Sequence, residues 1–429
     1  MRTDRYGLTL TTQSAAAHEH YLAGVDLLLA NWPGADTQFG AALAADPAFA
    51  MAHAGQARHC QMWGRSADAR AAIATAGTHA ASLSRREQQH IALLATLLEG
   101  NAPQALRMLL EHLDDFPCDA LALGTALGAF GMLAFSGRPD HDAVRLGLSE
   151  RLADAYGDDW WFLGYLGWAH VEAGSLAAGE RHVERSLQLK PDNANAIHAF
   201  AHLAYEQQRA GESIARLDAL TADYDGKALL HNHLRWHAAL GALATGRADA
   251  ALVAYDRYLA PDVATAPLIT ALSDAVSLLW RAEVATRRPC GGGRWDALCD
   301  FVKARNYQST VAFLDVHVAA LYCAAREPAA YDALLAQLGT ALDAGRLPAG
   351  PVVVAICQAL RAHASGEAQQ TAALLDANLG NIVRIGGSGA QRDLFEETLA
   401  AAQQLAGDAV AGARTATWQK VRASSLMQG

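Results

Sequence analysis

Residues 160–193 read as one 34-residue helix–turn–helix unit, and other stretches of the chain fall on the same template. Leu163, Leu166 and Gly167 occupy first-helix packing positions, and Gly174 sits at the turn. Gly179 and Val183 lie on the second helix, and Pro191 closes the unit. A unit of this kind cannot bury its apolar face alone and must stack on its neighbours, so a fixed period of this length predicts a helical solenoid. Such arrays bind on a concave face, which says where to look for function.

The same phasing runs both ways along the chain. Residues 16–83 hold two units, with Phe39, Ala42 and Pro47 in the first and Gly64, Ala69, Ile73 and Ala76 in the second. Residues 194–227 follow in phase, with Phe200, Ala201 and Leu217 on the template, and the pair from Leu229 to Leu259 turns at Gly246, so 160–260 is the second clear block. Ser84 and Glu87 make a capping box before a helix that runs to Leu98, and Pro103 opens the next at a permitted position. Two helices are expected in 119–156, split at Gly137–Asp140, and one over 264–287 before the loop Arg287–Gly293. Helix pairs continue over 311–429, the last starting near Gln370 and Ser388. No window alternates with period two for long enough to make a strand. The expectation is an all-α chain, a right-handed superhelix of helix–turn–helix repeats, with residues 1–429 as one domain.

Composition narrows the function classes. The 429 residues are 52% hydrophobic and 18% charged, which excludes a disordered chain. A formal net charge of −10 with no basic stripe argues against a nucleic-acid binder. Six cysteines, at 60, 118, 290, 299, 323 and 357, form no CxxC pair and read as thiols of a reducing compartment. No apolar leader follows Met1, and no apolar run is long enough to span a bilayer, so a cytoplasmic protein is expected.

Template positions 2, 5, 9, 12 and 13 of each unit face the groove. At 194–227 these are Asn195, His198, His202, Tyr205 and Glu206, none aliphatic. The preceding unit places Trp161, Gly164, Trp168, Val171 and Glu172 there, and the following one His233 and Trp236, with His237 alongside. His198 and His202 lie one helical turn apart on one face, as do His233 and His237. Such pairs can hold a divalent metal or serve as acid and base near neutral pH. They can equally be semi-buried rings bonded to each other, to Glu206 or to water. HAFAH lacks the glutamate of a zinc-protease helix.

The second feature is Gly386-Gly387-Ser388-Gly389-Ala390-Gln391-Arg392-Asp393. Ser388 and Gln391 make a capping box, which explains both locally. The alternative is an anion held at the helix N-terminus with Arg392 as a clamp. Asp274, Trp280, Arg281 and His317 stand within apolar helices; Asp274 and Arg281 lie two turns apart on one helix and could share a cavity.

These residues together resemble the tetratricopeptide repeat protein 38 family. The resemblance covers nearly the whole chain: Leu8–Thr12, Ala45–His53, Arg86-Glu87-Gln88, His198–His202, His233-x-x-Trp236-His237, Asp274–Arg281, Gly293-Arg294-Trp295, Phe313-x-x-x-His317 and Gly386–Asp393. Tyr205 departs from it, standing where the family carries an acidic residue, with Glu206 one place later. The resemblance implies tetratricopeptide-like repeats and no particular reaction, and it runs through the polar groove residues.

Two readings of function follow. In the first, an internal pocket binds, and could transform, a small anionic molecule. His198, His202, His233 and His237 supply acid, base or metal ligands. Trp168, Glu206, Trp236, Asp274, Arg281, His317, Gln391, Arg392 and Asp393 line or close the pocket. In the second, the chain is a scaffold that recognises a peptide in its groove. A carboxylate-clamp groove would want Lys and Arg at the positions that here carry His, Trp and Glu. No sequence motif decides whether the chain is an enzyme.

Overall fold

A computed structural model describes residues 2–309 and 311–407. Among the described residues twenty-one α-helices follow one another, and the few strand residues, Arg2–Thr3 and Thr9–Leu10, pair as a short antiparallel ribbon. The fold is all-α. The expected terminal segment beyond residue 407 lies outside the described residues.

Local chemistry sets the helix starts. Asn101, Asp119, Asp159 and Asn193 each accept a backbone N–H of the first turn, and Ser84 and Ser388 form complete capping boxes with Glu87 and Gln391. In the unit at 160–193, Trp160–Glu172 and Leu176–Leu189 cross at Gly167 and Gly179. A Cβ on Gly179 would lie 2.9 Å from the Gly167 carbonyl oxygen, and one on Gly167 would lie 3.0 Å from the Val183 nitrogen. Helices Ala194–Glu206 and Ala210–Leu220 form the next pair. His231–Ala244 and Ala248–Ala254 form the third, its second helix ending in a π-turn over Tyr255–Leu259.

The helices expected in 119–156 are present, but the first is short. Ala120–Leu127 stops at Gly128, nine residues before the expected break, because a Gly128–Gly131 turn brings the Met132 N–H back to the Thr125 carbonyl at 3.0 Å. A Cβ on Gly131 would lie 2.5 Å from the Ala126 oxygen, so no larger residue fits there. The second helix is His141–Tyr156.

The array curls back on itself. His141 and Arg384 bond the Val383 and Gly137 carbonyls at 3.1 and 2.9 Å, tying the middle of the chain to its end. Phe130 packs on Phe313. On the other side, Trp32 and Tyr224 bond across to the Asp192 and Asn31 carbonyls, both at 2.7 Å. One large core gathers around Tyr21, Phe39 and Trp161, a second around Trp236, Phe313 and Phe395, and a smaller one around Trp168 and Phe200. No described helix is long and apolar enough to cross a membrane. All six cysteines are free thiols, four of them buried.

Candidate functional site

The first helices of the two central units, Ala194–Glu206 and His231–Ala244, each present their histidine pair to the other. One nitrogen from each of His198, His202, His233 and His237 lies within 4.8 Å of all the others. The Nε2 of His198 is 2.9 Å from that of His202 and 3.0 Å from that of His233.

Two buried carboxylates orient the rings. His233 donates Nδ1–H to Asp274 Oδ2 at 2.8 Å. His202 Nδ1 stands 2.9 Å from Glu172 Oε1, a close polar contact outside regular hydrogen-bond geometry. With Nδ1 protonated, the Nε2 of a neutral ring offers a lone pair. Two lone pairs therefore point at His198 Nε2, which has at most one proton to share between them. His237 has no hydrogen-bond partner for either ring nitrogen among the described residues, and neither has Asp274 Oδ1.

Burial, then the neighbouring imidazoles, hold His198 and His237 well below the usual histidine range. Burial pushes Asp274 up, while at Glu172 the His202 ring outweighs burial and holds the carboxyl down. Aromatic faces complete the wall: Trp236 stacks on His233 with ring centres 5.1 Å apart, and Trp168 lies along His198 at 6.5 Å.

The tetrad borders two cavities. One, of 410 Å³, is lined by His198, His233, Trp168, Thr270 and Gln391, and reaches to Arg58 and Gln61 on the helix Ala50–Met62. The other, of 550 Å³, is lined by His237, Tyr205, Glu206, Arg281, Asp393 and Glu397.

The remaining expected site residues separate. Asp274 and Arg281 do not share a cavity: Asp274 serves His233, whereas Arg281 pairs with Glu397 and bonds the Tyr205 hydroxyl and the Ala390 carbonyl, at 2.8 and 2.9 Å. Asp393 accepts from Tyr205 at 2.9 Å. His317 is enclosed by Phe313 and Phe395, donates Nδ1–H to the Phe313 carbonyl at 2.7 Å, and lines neither cavity. Trp236 is fully buried behind His233.

The glycine-rich turn has a structural explanation at each position. A Cβ on Gly386 or Gly387 would lie 2.6 or 2.5 Å from the Phe135 or Phe313 ring, and both residues have positive φ. The capping box forms. An anion does sit at this helix N-terminus, and it is the protein's own: Gly389 N–H donates to Glu172 Oε2 at 2.8 Å. Glu172 thus joins the C-terminal turn to His202. Arg392 turns away from both cavities, to Asp142 at 3.0 Å and the Gly387 carbonyl at 2.6 Å.

A second cluster, His90, His112 and Asp119, is a different object. Arg86 holds Asp119 at 2.7 Å between the two rings, so a cation already occupies that carboxylate.

Four residues here stand outside the expected site set. Glu172, at template position 13 of its unit, faces the groove as the template expects, but its contact with His202 is set by tertiary packing. Arg58, Gln61 and Met62 stand at positions 9, 12 and 13 of the unit that begins at Ala50, where the same template turns them to the groove.

The paired helices define the chain as an all-α helical repeat protein. No protein-family model matches the chain. Among solved structures it is similar to the TPR domain of P58(IPK), at 12% identity over 92% of this chain and 99% of that one, with a TM-score of 0.22. A score that low carries no argument about arrangement or function.

Proposed function

We propose that the chain is a closed helical-repeat protein that holds one divalent metal ion on His198, His202, His233 and His237, and that a small molecule is bound and acted on in the cavity beside it. The observation that carries this reading is the convergence of the His202 and His233 lone pairs on His198, each ring set from behind by a buried carboxylate. Imidazole nitrogens about 2.0–2.1 Å from a tetrahedral ion stand about 3.3 Å apart, close to the spacings found here. A carboxylate behind a ligating histidine is the usual outer support of such a site. Glu172 and Asp274 together carry the charge that a divalent cation would balance.

All-imidazole sites suit zinc, copper, iron or nickel. Such an ion, when bound, supplies an acidified water or a polarised carbonyl. His198 and His233 face the 410 Å³ cavity and so fix where a substrate would meet it, while Trp168 and Trp236 keep the rings in place.

The peptide-scaffold reading finds less support. The groove positions of the central units bond to one another and to buried carboxylates, and the array folds over them.

Cobalt titration of chelator-treated protein tests the proposal. A visible absorption band that saturates at one equivalent and is lost in His233→Ala is expected. A protein that gives no band, or a variant that gives the same one, contradicts it.

A further inference from the structure

Arg58, half-buried, differs from the fully buried arginines. Arg86 faces Asp119, Arg145 faces Asp142 and Arg281 faces Glu397. Arg58 has only neutral partners: Nη1–H donates to Gln61 Oε1 at 2.7 Å and Nη2–H to the Gly124 carbonyl at 3.0 Å. Among the described residues its other N–H donors have no hydrogen-bond partner and Tyr165 is its ionisable neighbour, and burial pushes its guanidinium down to about 10. It remains partly exposed, and it lines the cavity that His198 and His233 line. Between these ends Met62, Phe130, Met132 and Ile269 give the cavity an apolar stretch, beside neutral polar side chains such as Asn31, Asn195 and Thr270. An uncompensated cation in a largely apolar cavity is costly unless an anion joins it.

We propose that Arg58 anchors the ligand of this cavity, and that the ligand is a small amphipathic monocarboxylate. Its carboxylate takes the free edge of the guanidinium fork, its apolar body lies along Met62, Met132 and Ile269, and its far end reaches His198 and His233. One guanidinium with no second cation beside it matches a single negative charge better than a phosphate dianion. What happens at the far end rests on the metal reading above; the anchor does not.

The test is calorimetric titration of the full chain at pH 7 with octanoate and with its neutral counterpart octanamide. Octanoate should bind roughly tenfold tighter or more, as a charge-assisted pair requires. Arg58→Met should abolish that preference while metal content by elemental analysis stays unchanged. Arg58→Gln, which can still donate to Gly124, covers the case in which the methionine variant does not fold. Equal binding of the two probes, no binding of octanoate, or a preference that survives both substitutions overturns the proposal. The two claims fail separately: a preference for octanoate that depends on Arg58 in a protein without metal keeps the anchor and removes the metal centre, and bound metal without the preference does the reverse.

Discussion

Asp274 holds the Nδ1–H of His233 with one oxygen and has no hydrogen bond to the other. Burial raises its pKa, so ionised Asp274 is a cost to the metal-free fold. Asp274→Asn keeps an acceptor for His233 but removes the charge. We expect metal affinity to fall about 10–100-fold, measured by chelator competition, with no loss of melting temperature in the metal-free protein. Unchanged affinity would leave Asp274 no part in the site. His317 makes a second prediction. Burial pushes its imidazole down to about 4, against an ordinary value of 6.5. Between those values the unfolded chain holds the extra proton. Stability is therefore full above about pH 6.5 and falls as pH drops toward 4, by on the order of 3 kcal/mol. His317→Leu should flatten the melting temperature against pH across that window. A slope identical to that of the wild type would show that this ring does not titrate on unfolding.

At the level of the helices, the crossing at Gly167 and Gly179 sets how closely each repeat closes. The atoms that a Cβ on either glycine would strike include backbone atoms, which cannot swing aside. Gly167→Ala should destabilise the fold by about 1–3 kcal/mol in denaturant unfolding. A neutral substitution would mean that the two helices slide freely. This crossing was legible in the sequence because it is local: the glycines and the turn at Gly174 lie within one unit. The histidine pairs were legible for the same reason, since four-residue spacing fixes a shared face. That Asp274 serves His233 and Arg281 serves Glu397 was not legible. Two residues seven apart on one helix still meet different neighbours, and only tertiary packing chooses them. His317 likewise lies on a face that only the packing of Phe395 reveals as closed.

Over the whole molecule, the array folds over its own groove, and the proposed site depends on that closure. Arg392 shows why sequence position misleads here: its partner Asp142 lies 250 residues away. Arg392, together with Arg145 and His141, holds the Asp142 carboxyl far below its ordinary range despite burial. A ligand clamp would be lost from binding alone, whereas this contact joins the middle of the chain to its end. Arg392→Ala should therefore lower stability, by about 2 kcal/mol, seen as a lower melting temperature. An unchanged melting temperature would free Arg392 for another role. Glu172 works at the same scale. It bonds the Gly389 amide and contacts His202, so closure of the array and orientation of a histidine share one side chain.

The measurement that bears most directly on this account is elemental analysis of the protein purified without a metal-affinity tag, beside the same analysis of His198→Ala. Close to one first-row transition metal ion per chain is expected in the wild type and none in the variant. A folded wild-type protein that carries no such metal, and whose melting temperature does not change when zinc is added, would contradict it.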